Sequence, residues 1–100
     1  MNWIAFEPLP QPKSIADFAR FRHLHLTVTQ HAERRWTAHF DNVEIKDGPI
    51  LEAAYGDGMS PYAAVLDYSR KIAGKLLVIN AGSSKKRCEF TAWQTMTADI

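Results

Sequence analysis

The sequence has a single cysteine, no long apolar run and almost no excess of charge, and each shortage excludes a class of protein. Cys88 alone cannot form an intrachain disulfide or a cysteine-based zinc cluster, and a lone thiol is typical of a reducing compartment. No apolar stretch approaches the roughly 18 residues that a transmembrane helix needs, and the first residues lack the pattern of a signal peptide. These absences predict a cytoplasmic protein that does not enter a membrane.

The charge is nearly balanced, because 12 lysines and arginines stand against 11 acidic residues, with a formal net charge of +1. Dedicated nucleic-acid binders usually carry a larger basic excess, so the balance argues against that class unless a local patch is sufficient. The length of 100 residues and the hydrophobic share of 46% are ordinary for one globular domain. We therefore expect a single domain over residues 1–100, in which residues 1–13 form an extended, proline-rich lead-in.

Two helices are indicated by their capping residues. Ser14 can cap the first helix, and Asp17 stands where a carboxylate completes a capping box. Ser60-Pro61 combines an N-cap with proline at the first helical position, and Gly74 supplies a left-handed stop, so the second helix lies between them. The helical spacing predicts that this second helix buries one face, made of Tyr62, Val65, Leu66, Ser69, Ile72 and Ala73.

Alternating or continuous apolar runs indicate five strands, at 23–30, 35–40, 50–55, 76–81 and 87–93. Pairing apolar with apolar residues in the first hairpin sets Leu26 opposite Phe40. The alternation changes phase after Asp41-Asn42, which indicates a bulge or bend there, and the glycines at 56–58 are expected to end the third strand. The run 76–81 is expected to be a central strand that is covered on both faces.

These elements predict an α+β fold with two layers, in which a mainly antiparallel sheet of about five strands packs on one main helix. The predicted order of elements is α-β-β-β-α-β-β. Such a short chain leaves little room for an enclosed catalytic pocket.

Histidines invite a metal hypothesis, because His23 and His25 share one face of the first predicted strand. In the hairpin register His39 lies diagonal to His25, about 7–8 Å away, and Asp41 lies opposite His25. Two imidazoles and a carboxylate at that spacing could bind zinc. The commoner interpretation is a solvated sheet face, and we predict no metal and no cofactor.

No catalytic constellation is evident in the sequence. A nucleophilic site needs a nucleophile, a base within reach and an orienting group. Cys88 is on the inward phase of its strand, where thiols are usually unreactive, and the serines fall at caps or turns. The carboxylates are scattered, without a pair that could act as acid and base. We predict that the chain is not an enzyme.

Two basic patches keep nucleic-acid binding open as an alternative, and they are Arg34-Arg35 and Lys85-Lys86-Arg87. Charged loop tips also keep ordinary domains soluble, so the patches alone do not establish nucleic-acid binding. The glycine-rich run 56–61 resembles a phosphate-binding turn because it leads into a helix N-terminus. Pro61 removes an amide donor there and Asp57 repels anions, which favours a simple strand-to-helix connector.

The stretch 54–90 resembles small proteins encoded by phages and prophages. It contains AYGDGMSPYAAVLDY at 54–68, KIAGKLLV at 71–78 and RCEF at 87–90. The order of three strands, a helix and a strand is similar to the HicB-type antitoxin module, whose helix is also entered through a Gly-x-Ser/Thr turn. This resemblance covers roughly half of the chain. It implies the binding and neutralising of a protein partner and not catalysis.

A second resemblance is to double-stranded-RNA-binding domains, which also have a helix, three strands and a second helix. Segment 56–60 matches the Gly-x-Gly-x-Ser with which their second helix begins. Pro61 and Tyr62 stand where the phosphate-binding lysines of those domains would follow. The resemblance implies nucleic-acid binding as the alternative function.

The leading hypothesis is a non-enzymatic protein-binding module, a phage-type inhibitor or modulator that occludes a host or partner protein in an anti-defence or antitoxin-like way. Tryptophan, tyrosine and arginine dominate binding hot spots. The predicted partner-binding residues are Trp3, Tyr55, Arg34, Arg35, Lys85, Lys86 and Arg87. Trp36 and Trp93 are expected in the core instead, and free sheet edges make a homodimer a further expectation. The alternatives are a nucleic-acid-binding domain that uses the basic loops and, after it, a metal-binding enzyme.

Overall fold

The structure, a computed structural model, describes residues 14–80 and 88–98. The predicted lead-in with Trp3, the basic residues Lys85, Lys86 and Arg87, and the side chain of Cys88 lie outside the described part. The helices are α1 (Ile15–Arg22) and α2 (Pro61–Ile72). The strands are β1 (Leu26–Ala32), β2 (Arg35–Phe40), β3 (Val43–Asp47), β4 (Ile50–Glu52), β5 (Gly56–Gly58), β6 (Leu76–Ile79) and β7 (Cys88–Thr91).

The α+β class and the antiparallel pairing are confirmed, and the strands are divided between two sheets where one was expected. A three-stranded sheet has the order β1-β2-β5, and a four-stranded sheet has the order β4-β3-β6-β7. Helix α2 packs against all three strands of the first sheet. Buried residues from both sheets and both helices form one hydrophobic core. Neither helix is long and apolar enough to cross a membrane within the residues described.

The chain passes from one sheet to the other at Asp41-Asn42, where the sequence predicts a bulge or bend. A turn at these two residues separates β2 from β3, and Asn42 has a φ of +60°. The apolar alternation changes phase here because β2 belongs to the first sheet and β3 to the second. The predicted register of the first hairpin is confirmed, with Leu26 opposite Phe40.

The third predicted strand and its glycine ending need correction. Strand β4 stops at Glu52, and Gly56–Gly58 is itself a strand that pairs with β2. A Cβ atom at Gly56 would lie 2.0 Å from the carbonyl oxygen of Ala64, and one at Gly58 would lie 2.4 Å from the amide nitrogen of Ala64. The two glycines therefore let β5 contact the backbone of α2 directly.

Both helix N-termini are as predicted. Ser14 and Asp17 form a reciprocal capping box, and the hydroxyl of Ser60 accepts a hydrogen bond from an amide in the first turn of α2. The buried face of α2 differs from the predicted one, since Tyr62 is 57% exposed whereas Tyr68 is fully buried. The buried residues of α2 are Ala64, Val65, Tyr68, Ser69 and Ile72.

Phe18 of α1 lies among the aromatic rings of the core. Its ring centroid is 6.1 Å from that of Phe40, 6.0 Å from that of Phe90 and 5.0 Å from that of Trp93. Trp36 and Trp93 are partly buried against this core, in agreement with their predicted place.

Strand β6 is central, as predicted, because β3 and β7 flank it. Its neighbouring residues Leu77 and Val78 point to opposite faces of the sheet, and both are fully buried. Residues 94–98 carry no strong sequence signal, yet Met96 and Ala98 are buried. The Ile15 amide donates a hydrogen bond of 2.8 Å to the carbonyl of Thr97, which holds this segment beside α1.

Candidate functional site

Alternate residues of the three-stranded sheet point away from the core and form a polar surface, here called the outer face. The outer face consists of Thr27, Thr29, His31, Arg35, Thr37, His39 and Asp57. The strand register brings them together, since Thr27 lies opposite His39, and Thr37 lies opposite Asp57. Thr27, Thr29, Thr37 and His39 thus alternate with the inward residues Leu26, Val28, Ala38 and Phe40 along the two paired strands.

A groove of about 440 Å³ lies on the outer face. Arg35 and Tyr55, two of the predicted partner-binding residues, both line it. They meet because β5, which follows Tyr55 directly, is antiparallel to β2, which begins with Arg35. Beside them the His31 Nε2 and Thr37 Oγ1 atoms are 2.7 Å apart in a hydrogen bond. The groove therefore combines an aromatic ring, a guanidinium group and several hydrogen-bonding groups.

Tyr55 stands between this groove and a second depression. The second depression has a volume of about 320 Å³, lies where the two sheets meet, and is lined by Tyr55 and His39 together with Asn42 and Asn80. Tyr55 is 50% exposed, and its ring lies edge-on to the His39 ring with a centroid distance of 5.5 Å. A surface that covers both depressions must therefore contact the ring of Tyr55.

The backbone next to Tyr55 is fixed by side chains of α2. Lys71 Nζ donates a hydrogen bond of 2.8 Å to the Tyr55 carbonyl, and Asp67 accepts one of 2.9 Å from the Asp57 amide. Lys71 also lies 3.0 Å from Asp67 in an ion pair. The hydrogen bond from the Asp57 amide holds the pKa of the Asp67 carboxyl below its ordinary value, and Lys71 adds to this effect. The segment that carries Tyr55 is therefore attached to the helix.

Asp41 lies between two imidazoles at the end of the first hairpin. Its carboxylate oxygens are 3.9 Å from His25 Nε2 and 3.9 Å from His39 Nδ1, and it accepts a hydrogen bond of 2.6 Å from Thr27. His23 does not share this surface, because it ends α1 with a left-handed φ of +57° and precedes β1. Among the residues that the structure describes, no three potential ligands are arranged to hold a metal ion.

Only some of the predicted partner-binding residues line the groove. Tyr55 and Arg35 share the groove, and Arg34 is exposed in the turn between β1 and β2. His31 and His39 also line the groove, although neither is among the predicted partner-binding residues. The alternation of residues along β1 and β2 could have indicated both histidines, because it places them on the face that carries Arg35.

Comparisons of the chain with protein families, with curated proteins and with solved structures find no match.

Proposed function

We propose that this chain is a non-enzymatic protein-binding module that occludes a surface of a partner protein, with the outer face around Tyr55 as its contact surface. The observation that carries the proposal is the position of Tyr55, which is half exposed, lines both depressions and shares the larger one with Arg35. Tyrosine and arginine are enriched among residues that dominate binding energy.

The attachment of Tyr55 to α2 supports this role. Binding costs free energy for each side chain and loop that must be ordered. The Tyr55 carbonyl already accepts a hydrogen bond from Lys71, and its ring rests against His39. A partner would therefore meet an aromatic anchor whose backbone is held in place before binding.

A phage-type inhibitor or an antitoxin-like modulator is the specific form of the proposal, and it rests on the resemblance of residues 54–90 to HicB-type modules. A cytoplasmic location belongs to the same proposal, because a lone cysteine fits a reducing compartment.

Photocrosslinking tests the proposed surface. Tyr55 is replaced by p-benzoyl-phenylalanine, the protein is irradiated in a bacterial lysate, and covalent products are identified by mass spectrometry with and without nuclease. The matched control carries the same group at Tyr62, which is 57% exposed on α2 and lines neither depression. We expect one protein partner that is crosslinked from position 55, survives nuclease and is absent from position 62.

The purified partner then allows an affinity measurement. Tyr55→Ala is expected to weaken binding about 30-fold, because truncating a hot-spot residue costs about 2 kcal/mol or more. Tyr62→Ala is expected to bind like the wild type. Crosslinked products that disappear after nuclease treatment would instead support nucleic-acid binding through Arg34 and Arg35. Equal crosslinking from positions 55 and 62 would contradict the proposed surface.

A further inference from the structure

Strand β1 forms one side of the three-stranded sheet, and within the described residues only β2 pairs with it. The Asp41 amide donates a hydrogen bond of 2.9 Å to the His25 carbonyl, which sets the direction of the backbone groups along this hairpin. Because these directions alternate in an antiparallel pair, Thr27 and Thr29 direct their backbone groups toward β2. The N–H and C=O groups of Leu26, Val28 and Gln30 point to the opposite side, here called the free edge.

Within residues 26–30 the free edge has none of the residue types or bulges that commonly prevent edge strands from pairing. Proteins protect such edges with lysine and other charges, with proline, or with bulges. Residues 26–30 have the sequence LTVTQ, which contains no charge and no proline. The only irregularity in the pairing of β1 falls between Gln30 and Ala32, after this stretch. The five residues therefore offer a regular, uncharged strand.

The order of residues along the free edge is self-complementary. When this stretch is paired antiparallel with a copy of itself about Val28, each Thr27 lies opposite a Thr29 and each Leu26 lies opposite a Gln30. The threonines then share the solvent side of the combined sheet, and Leu26 and Val28 share the core side. Threonine pairs across strands are favourable, and a two-fold interface of this kind uses the same surface on both subunits.

We propose that the free edge of β1 pairs with the same edge of a second copy of this chain, with Val28 on the two-fold axis. Val28 would face Val28 of the second copy, and the two Leu26–Gln30 pairs would flank it. Each of these three pairs exchanges two backbone hydrogen bonds, so every outward backbone group of Leu26, Val28 and Gln30 gains a partner. The two sheets join into one, and both copies of the outer face lie on its same side.

A proline substitution tests the backbone pairing without touching the core. The Gln30 side chain is exposed, and its N–H points to the free edge, so Gln30→Pro removes a donor of the dimer but none of the β1–β2 pair. Gln30→Ala is the matched control, because it shortens the same side chain and keeps the N–H. Sedimentation equilibrium over a concentration series measures the mass.

We expect the wild type and Gln30→Ala to approach twice the 11.3 kDa of one chain, and Gln30→Pro to stay at 11.3 kDa with an unchanged circular dichroism spectrum. A wild type that stays at the mass of one chain overturns the proposal, and so does a dimer that survives in folded Gln30→Pro.

Crosslinking gives a second, independent readout. The proposed register sets residue 27 of one copy against residue 29 of the other in a pair without backbone hydrogen bonds, where Cβ atoms are close. Thr27→Cys with Thr29→Cys in a Cys88→Ser background should therefore form a disulfide-linked dimer upon mild oxidation, and either cysteine alone should not do so efficiently. Equal dimer yield from the single variants would contradict this register. Neither experiment needs the partner protein that is proposed to bind around Tyr55. A failure of the dimer proposal can therefore be told apart from a failure of the proposed function.

Discussion

The hydroxyl of Tyr68 extends from α2 to β2, where it accepts a hydrogen bond of 3.0 Å from the Phe40 amide. This amide points toward the side of β2 that β5 occupies, but β5 pairs only with residues 36–38. Tyr68 therefore satisfies a buried donor that lies beyond the paired residues of β5. Burial raises the pKa of Tyr68 from 10.0 to about 12, and the hydrogen bond from Phe40 lowers it by less.

This shifted pKa predicts a loss of stability in alkaline solution. In the unfolded chain Tyr68 ionises near pH 10.0, whereas in the folded protein it keeps its proton until about pH 12. The raised pKa therefore contributes stability that is fully present below pH 10.0 and is lost as the pH rises toward about 12. Urea unfolding at a series of alkaline pH values measures the fall.

The Tyr68→Phe variant identifies the group responsible. At neutral pH it should lower the free energy of unfolding by about 1–3 kcal/mol, since it leaves the Phe40 amide without a partner. Its alkaline fall should also be smaller than that of the wild type. Tyr62→Phe changes an exposed tyrosine in the same helix and should alter neither value. An alkaline fall that is equal in Tyr68→Phe and the wild type would contradict the assignment.

At the scale of the elements, the starts of both helices could be predicted from the sequence, whereas strand β5 could not. Ser14 and Ser60 act on amides within their own first turn, so the helix starts follow from local sequence. Strand β5 depends on the contact of Gly56 and Gly58 with the backbone of α2, which periodicity cannot reveal. The same pairing brings Tyr55 beside the strand that carries Arg35, so the sequence could suggest both residues but not their shared groove.

An added methyl group at Gly56 tests the contact between β5 and α2. Gly56→Ala would place a Cβ 2.0 Å from the Ala64 carbonyl oxygen and 2.5 Å from the Tyr68 amide nitrogen, and neither backbone atom can move aside alone. We expect the free energy of unfolding to fall by about 3 kcal/mol or more, as in a strongly overpacked core. Asp57→Ala, in the same strand but on the outer face, should cost less than about 1 kcal/mol. Chemical denaturation compares the two, and equal losses would contradict the close packing.

At the scale of the whole molecule, the core is completed by residues far apart in sequence. Met96 and Ala98 are buried although 94–98 has no periodic pattern, because Thr97 pairs with Ser14 at the start of α1. A contact of this kind is invisible to reasoning from neighbouring residues. The division of the strands into two sheets could not be predicted from neighbouring residues either. Asp41-Asn42 indicates a bend, but it does not indicate which sheet β3 joins.

Truncation of Met96 measures what this closing segment contributes. Met96 is 7% exposed, so Met96→Ala should lower the free energy of unfolding by about 2–5 kcal/mol through lost burial and a cavity. Met59 has the same side chain and is 72% exposed, so Met59→Ala should change it by less than about 0.5 kcal/mol. Urea unfolding distinguishes them, and a Met96→Ala protein as stable as Met59→Ala would show that 94–98 adds little to the core.

The contact of Gly56 and Gly58 with α2 has a consequence for how this sequence can diverge. In a library of random variants selected for folding, positions 56 and 58 should keep glycine, because every other side chain begins with the Cβ that α2 excludes. Met59 and Tyr62, exposed in the next few residues, should accept many replacements under that selection. Position 55 should also vary in a library that is selected for folding alone. In a library that is selected for partner binding as well, position 55 should keep tyrosine. A comparison of the two libraries would therefore show that folding requires Gly56 and that binding requires Tyr55.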